Sequence, residues 1–122
     1  MRFAQSTALF LSLFVATAAM AQSKPEHGDE VYQPTVGQAG KDVIWVPTPD
    51  ALVTKMLQAV KTTKDDLVFD LGSGDGKIPI AAAKEFGATA VGIEDNPDTA
   101  DLARRNAKRA GVDGKVRTIT GD

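Results

Sequence analysis

The sequence predicts an α/β domain, a parallel sheet with flanking helices, carried as far as a third strand. Three observations predict it. Short apolar runs alternate with longer stretches in which apolar residues recur every three or four positions. Each run closes on an acidic residue, in turn Asp70, Glu94 and Asp122. The first acid leads straight into a glycine-rich turn, Gly72-Ser73-Gly74-Asp75-Gly76, that opens a helix. Strands separated by helices of this length form right-handed crossovers and pair in parallel.

The elements follow in order. Val43-Ile44-Trp45-Val46 is a short apolar run ended by Pro47. Thr48 is expected as the N-cap of the first helix, with Pro49 in its first turn and Asp50 facing the positive end of the dipole. That helix is expected to reach Lys61, with Leu52, Val53, Met56, Leu57 and Val60 on one apolar face. Leu67–Leu71 is the first strand. Gly76 or Lys77 opens the second helix, and Pro79 is tolerated there because first-turn amides lack intrahelical partners. Ile80, Ala81, Ala83 and Phe86 give that helix a slim apolar side, and Gly87 stops it. Residues 88–93 form the second strand, ending in Glu94. Asn96 caps the third helix, Pro97 and Asp98 fill its first turn, and Gly111 ends it. Its Arg104, Arg105, Lys108 and Arg109 read as a solvated face. Residues 115–120 form the third strand, leading to Gly121-Asp122. The sheet is thereby expected to stop after three strands, with an edge where a fourth would pair.

The N-terminus reads differently. Residues 1–21 have the form of a secretory signal peptide. Arg2 supplies the charge, residues 8–19 are apolar apart from Ser12 and Thr17, and Ala19-Met20-Ala21 is a small-x-small cleavage site. Export to the periplasm or the medium is expected, with an uncleaved anchor as the alternative. The apolar run is shorter than the roughly 20 residues that span a bilayer comfortably. Residues 22–42 are polar, contain Pro25, Gly28, Pro34, Gly37 and Gly40, and are expected as a flexible leader. The folded domain is expected over residues 43–122.

Composition excludes several functions. The chain has 122 residues, a formal net charge of -2, no cysteine and one histidine, His27. Disulfides, thiolate metal sites and cysteine nucleophiles are ruled out. A lone histidine in a polar linker gives no triad, and no metal site is expected. The charge balance provides no footprint for nucleic acid and no polybasic patch for lipid, so membrane contact is expected only through the signal segment.

The glycines carry the chemistry. They follow G-x-G-x-G, whereas the dinucleotide fingerprint G-x-G-x-x-G needs a glycine where Lys77 stands. The loop therefore points to S-adenosylmethionine. Ligands in open α/β sheets bind beyond the carboxyl ends of the strands, where the three acids gather. Gly72, Ser73, Gly74 and Gly76 form the loop against which the methionine part would lie, since glycine admits close backbone approach. Asp70 would attract its ammonium. Glu94, with two acceptor oxygens, would bind both ribose hydroxyls. Asp122 would accept from the adenine amino group. Asp75 reads as loop-shaping at a helix N-terminus, Asp65-Asp66 as a solvated turn, and Trp45 as a packing residue or a ligand platform.

At Asp70–Gly76, Gly92-Ile93-Glu94 and Gly121-Asp122 the chain resembles the seven-strand, Rossmann-like, class I S-adenosylmethionine-dependent methyltransferases. The resemblance covers residues 43–122 and corresponds to that family's N-terminal half. Val46-Pro47-Thr48-Pro49 is similar to an exported or membrane-tethered bacterial subgroup. Asp70 through Ala81-Ala82-Ala83, with Asn96-Pro97, is similar to small protein-lysine methyltransferases. Where that family often has an apolar residue after the ribose-binding acid, this chain has Asp95. The resemblance implies the cofactor-binding portion of a methyltransferase, with a protein or a small molecule as methyl acceptor and protein lysine as one candidate. It implies no catalytic residue, because the family's substrate-contacting segments follow its fourth strand. Two alternatives stand beside it: an NAD(P)-binding oxidoreductase fragment and an exported, non-catalytic binding domain.

Overall fold

The computed structural model describes residues 32–122. The expected signal peptide and the leader up to residue 31 lie outside the described residues. Three helices alternate with three strands: α1 (Asp50–Ala59), β1 (Leu67–Leu71), α2 (Lys77–Phe86), β2 (Thr89–Glu94), α3 (Pro97–Arg109) and β3 (Val116–Thr120). The strands form one parallel sheet in the order β1-β2-β3. The register sets Asp70 beside Gly92, and Glu94 beside Thr120.

Strand alternation divides the sheet into two unlike faces. Ala90, Gly92 and Glu94 of β2 are buried on one face, where α2 and α3 pack. The core there is built from small residues. Ala82 and Ala83 of α2, Ala107 of α3, and Ala88, Ala90 and Val116 meet Val53 and Leu57 of α1. Small side chains let the helices lie close to the strands, which brings the α2 N-terminus directly over the end of β1. The other face carries Leu67, Phe69 and Leu71 of β1 in register with Thr89, Val91 and Ile93. The three β1 residues on it are exposed.

The helix ends obey local rules, with one correction. Asn96 caps α3 through its side-chain oxygen, which accepts from the Asp98 and Thr99 amides at 2.9 and 3.1 Å. Gly87 and Gly111 adopt left-handed conformations at the ends of α2 and α3. Thr48, the expected cap of α1, makes no capping bond; Pro49 occupies that position and its carbonyl starts the helix. A proline with φ fixed near the helical value starts α1 one residue later than a threonine cap would. Helix α1 ends at Ala59 rather than Lys61, because Lys61 is left-handed at φ 55 and closes the helix as a glycine would. Strand β2 begins at Thr89 rather than Ala88, since the Ala88 amide turns back to the Ala82 carbonyl at 3.2 Å. Strand β3 begins at Val116, because the Lys115 and Val116 amides both bond the Val112 carbonyl.

The larger correction concerns residues 32–42. They were expected to be unfolded leader, yet they form one arm of a hairpin with residues 43–46. The Gly37 amide bonds the Trp45 carbonyl at 2.8 Å, and the Trp45 amide bonds the Gln38 carbonyl at 2.9 Å. The tight turn Gly40–Val43 closes the tip, with Gly40 so near Val43 that a Cβ would sit 2.4 Å from its carbonyl oxygen. The Tyr32 hydroxyl ties the base to Thr99 of α3 at 3.1 Å and accepts from Gln38 at 2.8 Å. Glycine and polar residues that read as linker composition are here turn chemistry. Among the described residues no helix is long and apolar enough to cross a membrane.

Candidate functional site

The carboxyl ends of the strands open into a cavity of about 610 Å³, within the range that holds a small-molecule ligand. Its floor is the turn after β1, its back is the end of β2, and its roof is the hairpin.

The floor is held rigidly. Gly72, Gly74 and Gly76 have φ of 75, 56 and 84, a region that side chains disfavour. The Gly72 and Ser73 amides both donate to the Ile93 carbonyl at 2.9 Å. The Gly74 amide donates to Glu94 Oε2 at 2.8 Å. Asp75 shapes the turn as expected: its Oδ1 accepts from the Lys77 amide at 3.3 Å. Asn106 of α3 fixes the same residue through its carbonyl at 2.8 Å.

Glu94 is the hinge of this arrangement. It is only 8% exposed. One carboxylate oxygen holds Gly74, and the other accepts from the Asn96 amide at 3.1 Å. The two backbone donors use half of the four acceptor positions a carboxylate offers. The remainder suits a pair of hydroxyls. Asp70 lies half-buried near it on the same face of the sheet. Burial, and then the neighbouring Glu94 charge, push the Asp70 carboxyl above its ordinary range. Two unneutralised carboxylates at the mouth of a cavity make a site for a cation.

The expected site residues separate into two groups. Asp70, Gly72, Gly74 and Glu94 line the cavity together. Ser73 lines it too, but its side chain turns on to β2, where a Cβ on Gly92 would meet Ser73 Oγ at 2.5 Å. Its buried hydroxyl has no hydrogen-bond partner among the described residues, and its packing on Gly92 holds the loop down. Gly76 does not face the cavity. A Cβ there would lie 3.1 Å from the Ala103 Cβ, so this glycine admits α3 instead of a ligand. Sequence spacing treats the three glycines alike; the packing of α3 separates them. Asp122 lies at the cavity rim, exposed, with its Oδ2 ion-paired to Lys41 of the hairpin tip. That pairing raises the Lys41 ammonium above the ordinary lysine range.

Three further residues contribute to the site. Lys41 belonged to the expected leader. Gly92 has a definite task, since only a hydrogen at that Cα leaves room for Ser73; a glycine inside a strand is the available signal for such close approach. Trp45 forms part of the roof, with its Nε1 3.1 Å from where a Gly74 Cβ would be. Among the described residues no group of three His, Cys, Asp or Glu side chains is placed to hold a metal ion.

This combination of parallel sheet, left-handed glycine turn and acid at the end of the second strand defines a Rossmann-like methyltransferase domain of class I. Residues 38–112 match the family model described as "Histone methylation protein DOT1", and the chain belongs to that family. The match covers more than half of the chain and takes in the hairpin tip. A protein-lysine N-methyltransferase of Saccharolobus islandicus is 43% identical over 81 residues, covering 66% of this chain and 50% of that protein. A lysine N-methyltransferase for ATP synthase from Mus musculus is 42% identical over 78 residues, covering 64% of this chain and 31% of that one. The match thus spans 31% to 50% of the length of these relatives. Among solved structures, an RNA methyltransferase from Salinibacter ruber in complex with S-adenosyl-L-homocysteine superposes with a TM-score of 0.63 at 49% identity, over 63% of this chain and 50% of that one. A methyltransferase from Thiobacillus denitrificans, also with S-adenosyl-L-homocysteine, gives 0.58 at 32% identity, over 62% and 30%.

Proposed function

We propose that this chain is the cofactor-binding part of an S-adenosylmethionine-dependent protein-lysine methyltransferase. The observation that carries the reading is the Asp70–Glu94 carboxylate pair set over a glycine turn that Glu94 itself holds in place. A dinucleotide would bring an anionic pyrophosphate to the turn beside that pair, whereas S-adenosylmethionine brings an ammonium and two ribose hydroxyls. Bound S-adenosylmethionine supplies an electrophilic methyl group on sulfonium sulfur. The residues of this chain hold and orient. Asp70 attracts the ammonium, Glu94 accepts from the ribose hydroxyls, and Gly72 and Gly74 admit the chain of the amino acid against bare backbone. Such fixing of one reactant supplies the positional part of the rate enhancement.

Protein lysine is favoured as acceptor by the two lysine methyltransferases among the relatives and by a net charge of -2, which gives no electrostatic attraction to a polyanion. The N-terminal sequence supports an exported protein in the same proposal, and sequencing of the secreted fraction would find Gln22 first. The test of function uses the intact protein with radiolabelled methyl donor, offered a set of lysine-containing proteins from its own host and total RNA from the same cells. Label on protein that survives nuclease and is located at lysine supports the proposal. Label on RNA alone would replace the acceptor class, and no S-adenosylhomocysteine binding at all would remove the cofactor assignment.

A further inference from the structure

We infer that the Trp45 indole N–H is the donor that receives the carboxylate of the cofactor's amino-acid end, which makes Trp45 a positioning residue of the site. The inference rests on the cofactor reading above and deepens it.

S-adenosylmethionine ends in a zwitterion. Its ammonium has Asp70 and Glu94 to meet, but its carboxylate faces a cavity crowded with acids. Asp70, Asp75, Glu94, Asp95 and Asp122 all line it, so a binding mode requires a donor that offsets them. Four of the five loop amides are committed: Gly72 and Ser73 donate to Ile93, Gly74 to Glu94 and Gly76 to Ser73. Three side-chain N–H groups line the cavity, those of Lys41, Trp45 and Lys77. Lys41 is paired with Asp122, and Lys77 with Asp50 at 2.9 Å. The Trp45 indole N–H alone of the three makes no hydrogen bond among the described residues.

Its placement is set by backbone. The Trp45 amide and carbonyl are both used in the hairpin, which fixes the residue over the glycine turn. Nε1 is the indole atom nearest Gly74, so the polar edge of the ring, not its apolar edge, points to the floor of the cavity. An indole N–H usually finds an acceptor when it is shielded from water. A bond to a charged acceptor is stronger than one to a neutral group.

Trp45 is the single tryptophan of these 122 residues, and in an indole-labelled NMR spectrum of the intact protein its side-chain signal is the one that Trp45→Phe removes. S-adenosylhomocysteine is expected to move that signal downfield. The analogue that lacks the carboxylate, in which the amino-acid end is a simple propylamine, is expected to leave it near its free position. Calorimetry supplies the second readout. Trp45→Phe keeps the ring and loses the donor; it is expected to weaken S-adenosylhomocysteine about tenfold and to leave the decarboxylated analogue unchanged. Equal weakening of both ligands, no weakening of either, or the same indole shift with both ligands would overturn the inference. Wild-type protein that binds neither ligand would overturn the function proposed above, and this inference with it.

Discussion

Two regions wall the same cavity, and they are built on opposite principles. The glycine turn after β1 is fastened from beneath. Left-handed glycines, backbone amide bonds from Gly72, Ser73 and Gly74 to β2, and the close approach of Ala103 leave it one conformation. Among the described residues, the hairpin over residues 37–46 is joined to the rest of the fold by Tyr32 at the base, by the exposed Lys41–Asp122 pair at the tip and by Trp45 over Gly74. The contrast teaches where geometry is stored. The floor is preorganised for a ligand's charged groups, while the roof has few buried contacts and belongs to the least stable part of the fold.

Four substitutions sharpen that contrast. The largest effect is expected at the floor. Gly76→Ala combines a left-handed backbone with a Cβ 3.1 Å from the Ala103 Cβ, and is expected to cost about 2–4 kcal/mol in a denaturant titration. A loss below about 1 kcal/mol would mean that the turn relaxes and is not rigid.

Next comes Asp70→Asn, which should act in two directions. Burial and Glu94 raise the Asp70 carboxyl above its ordinary range. The folded state therefore binds this proton more tightly than the unfolded chain. Its charge is unfavourable to the unliganded fold above that raised value, and stability is recovered as pH falls through it. The asparagine variant is expected to melt higher than wild type at neutral pH when unliganded. It should also bind S-adenosylhomocysteine about tenfold more weakly. In wild type, affinity should fall on acidification at a pH above the usual aspartate range, and the variant should lose that limb. A variant that both melts lower and binds normally would assign Asp70 to structure alone.

The roof should respond more mildly. Tyr32→Phe removes the hydroxyl that joins Thr99 and Gln38. About 0.5–1.5 kcal/mol is expected, visible as faster hydrogen exchange at the Gly37 and Trp45 amides with little change in global melting. Loss of global stability would show that the hairpin is part of the core unit. Smallest is Lys41→Ala, which removes one partner of an exposed pair, and its slight effect should fade in high salt. A larger and salt-independent effect would promote the hairpin tip to a structural clamp.

The same contrast explains what could be read from sequence. The floor was legible because its chemistry is local: Leu67–Leu71 is a run of strand residues, and glycines at every second position announce the turn. Asn96-Pro97-Asp98 announces its helix for the same reason. The roof was not legible because Pro34, Gly37 and Gly40 serve a linker and a hairpin equally, and the choice is made by partners far along the chain, Thr99 and Asp122. Long-range packing also reassigned Gly76 from ligand to α3 and turned the Ser73 hydroxyl on to Gly92. The left-handed Lys61, where glycine is usual, carries no local signal and shortened α1 without warning.

The central claim is that Glu94, already holding Gly74 and Asn96, keeps acceptor capacity for a ribose. The direct measurement is calorimetric titration of S-adenosylhomocysteine into intact wild-type and Glu94→Ala protein, each checked for folding by thermal melting. The account predicts binding to wild type and a loss of about 1–3 kcal/mol in the folded variant. Equal affinity in the two proteins would contradict it.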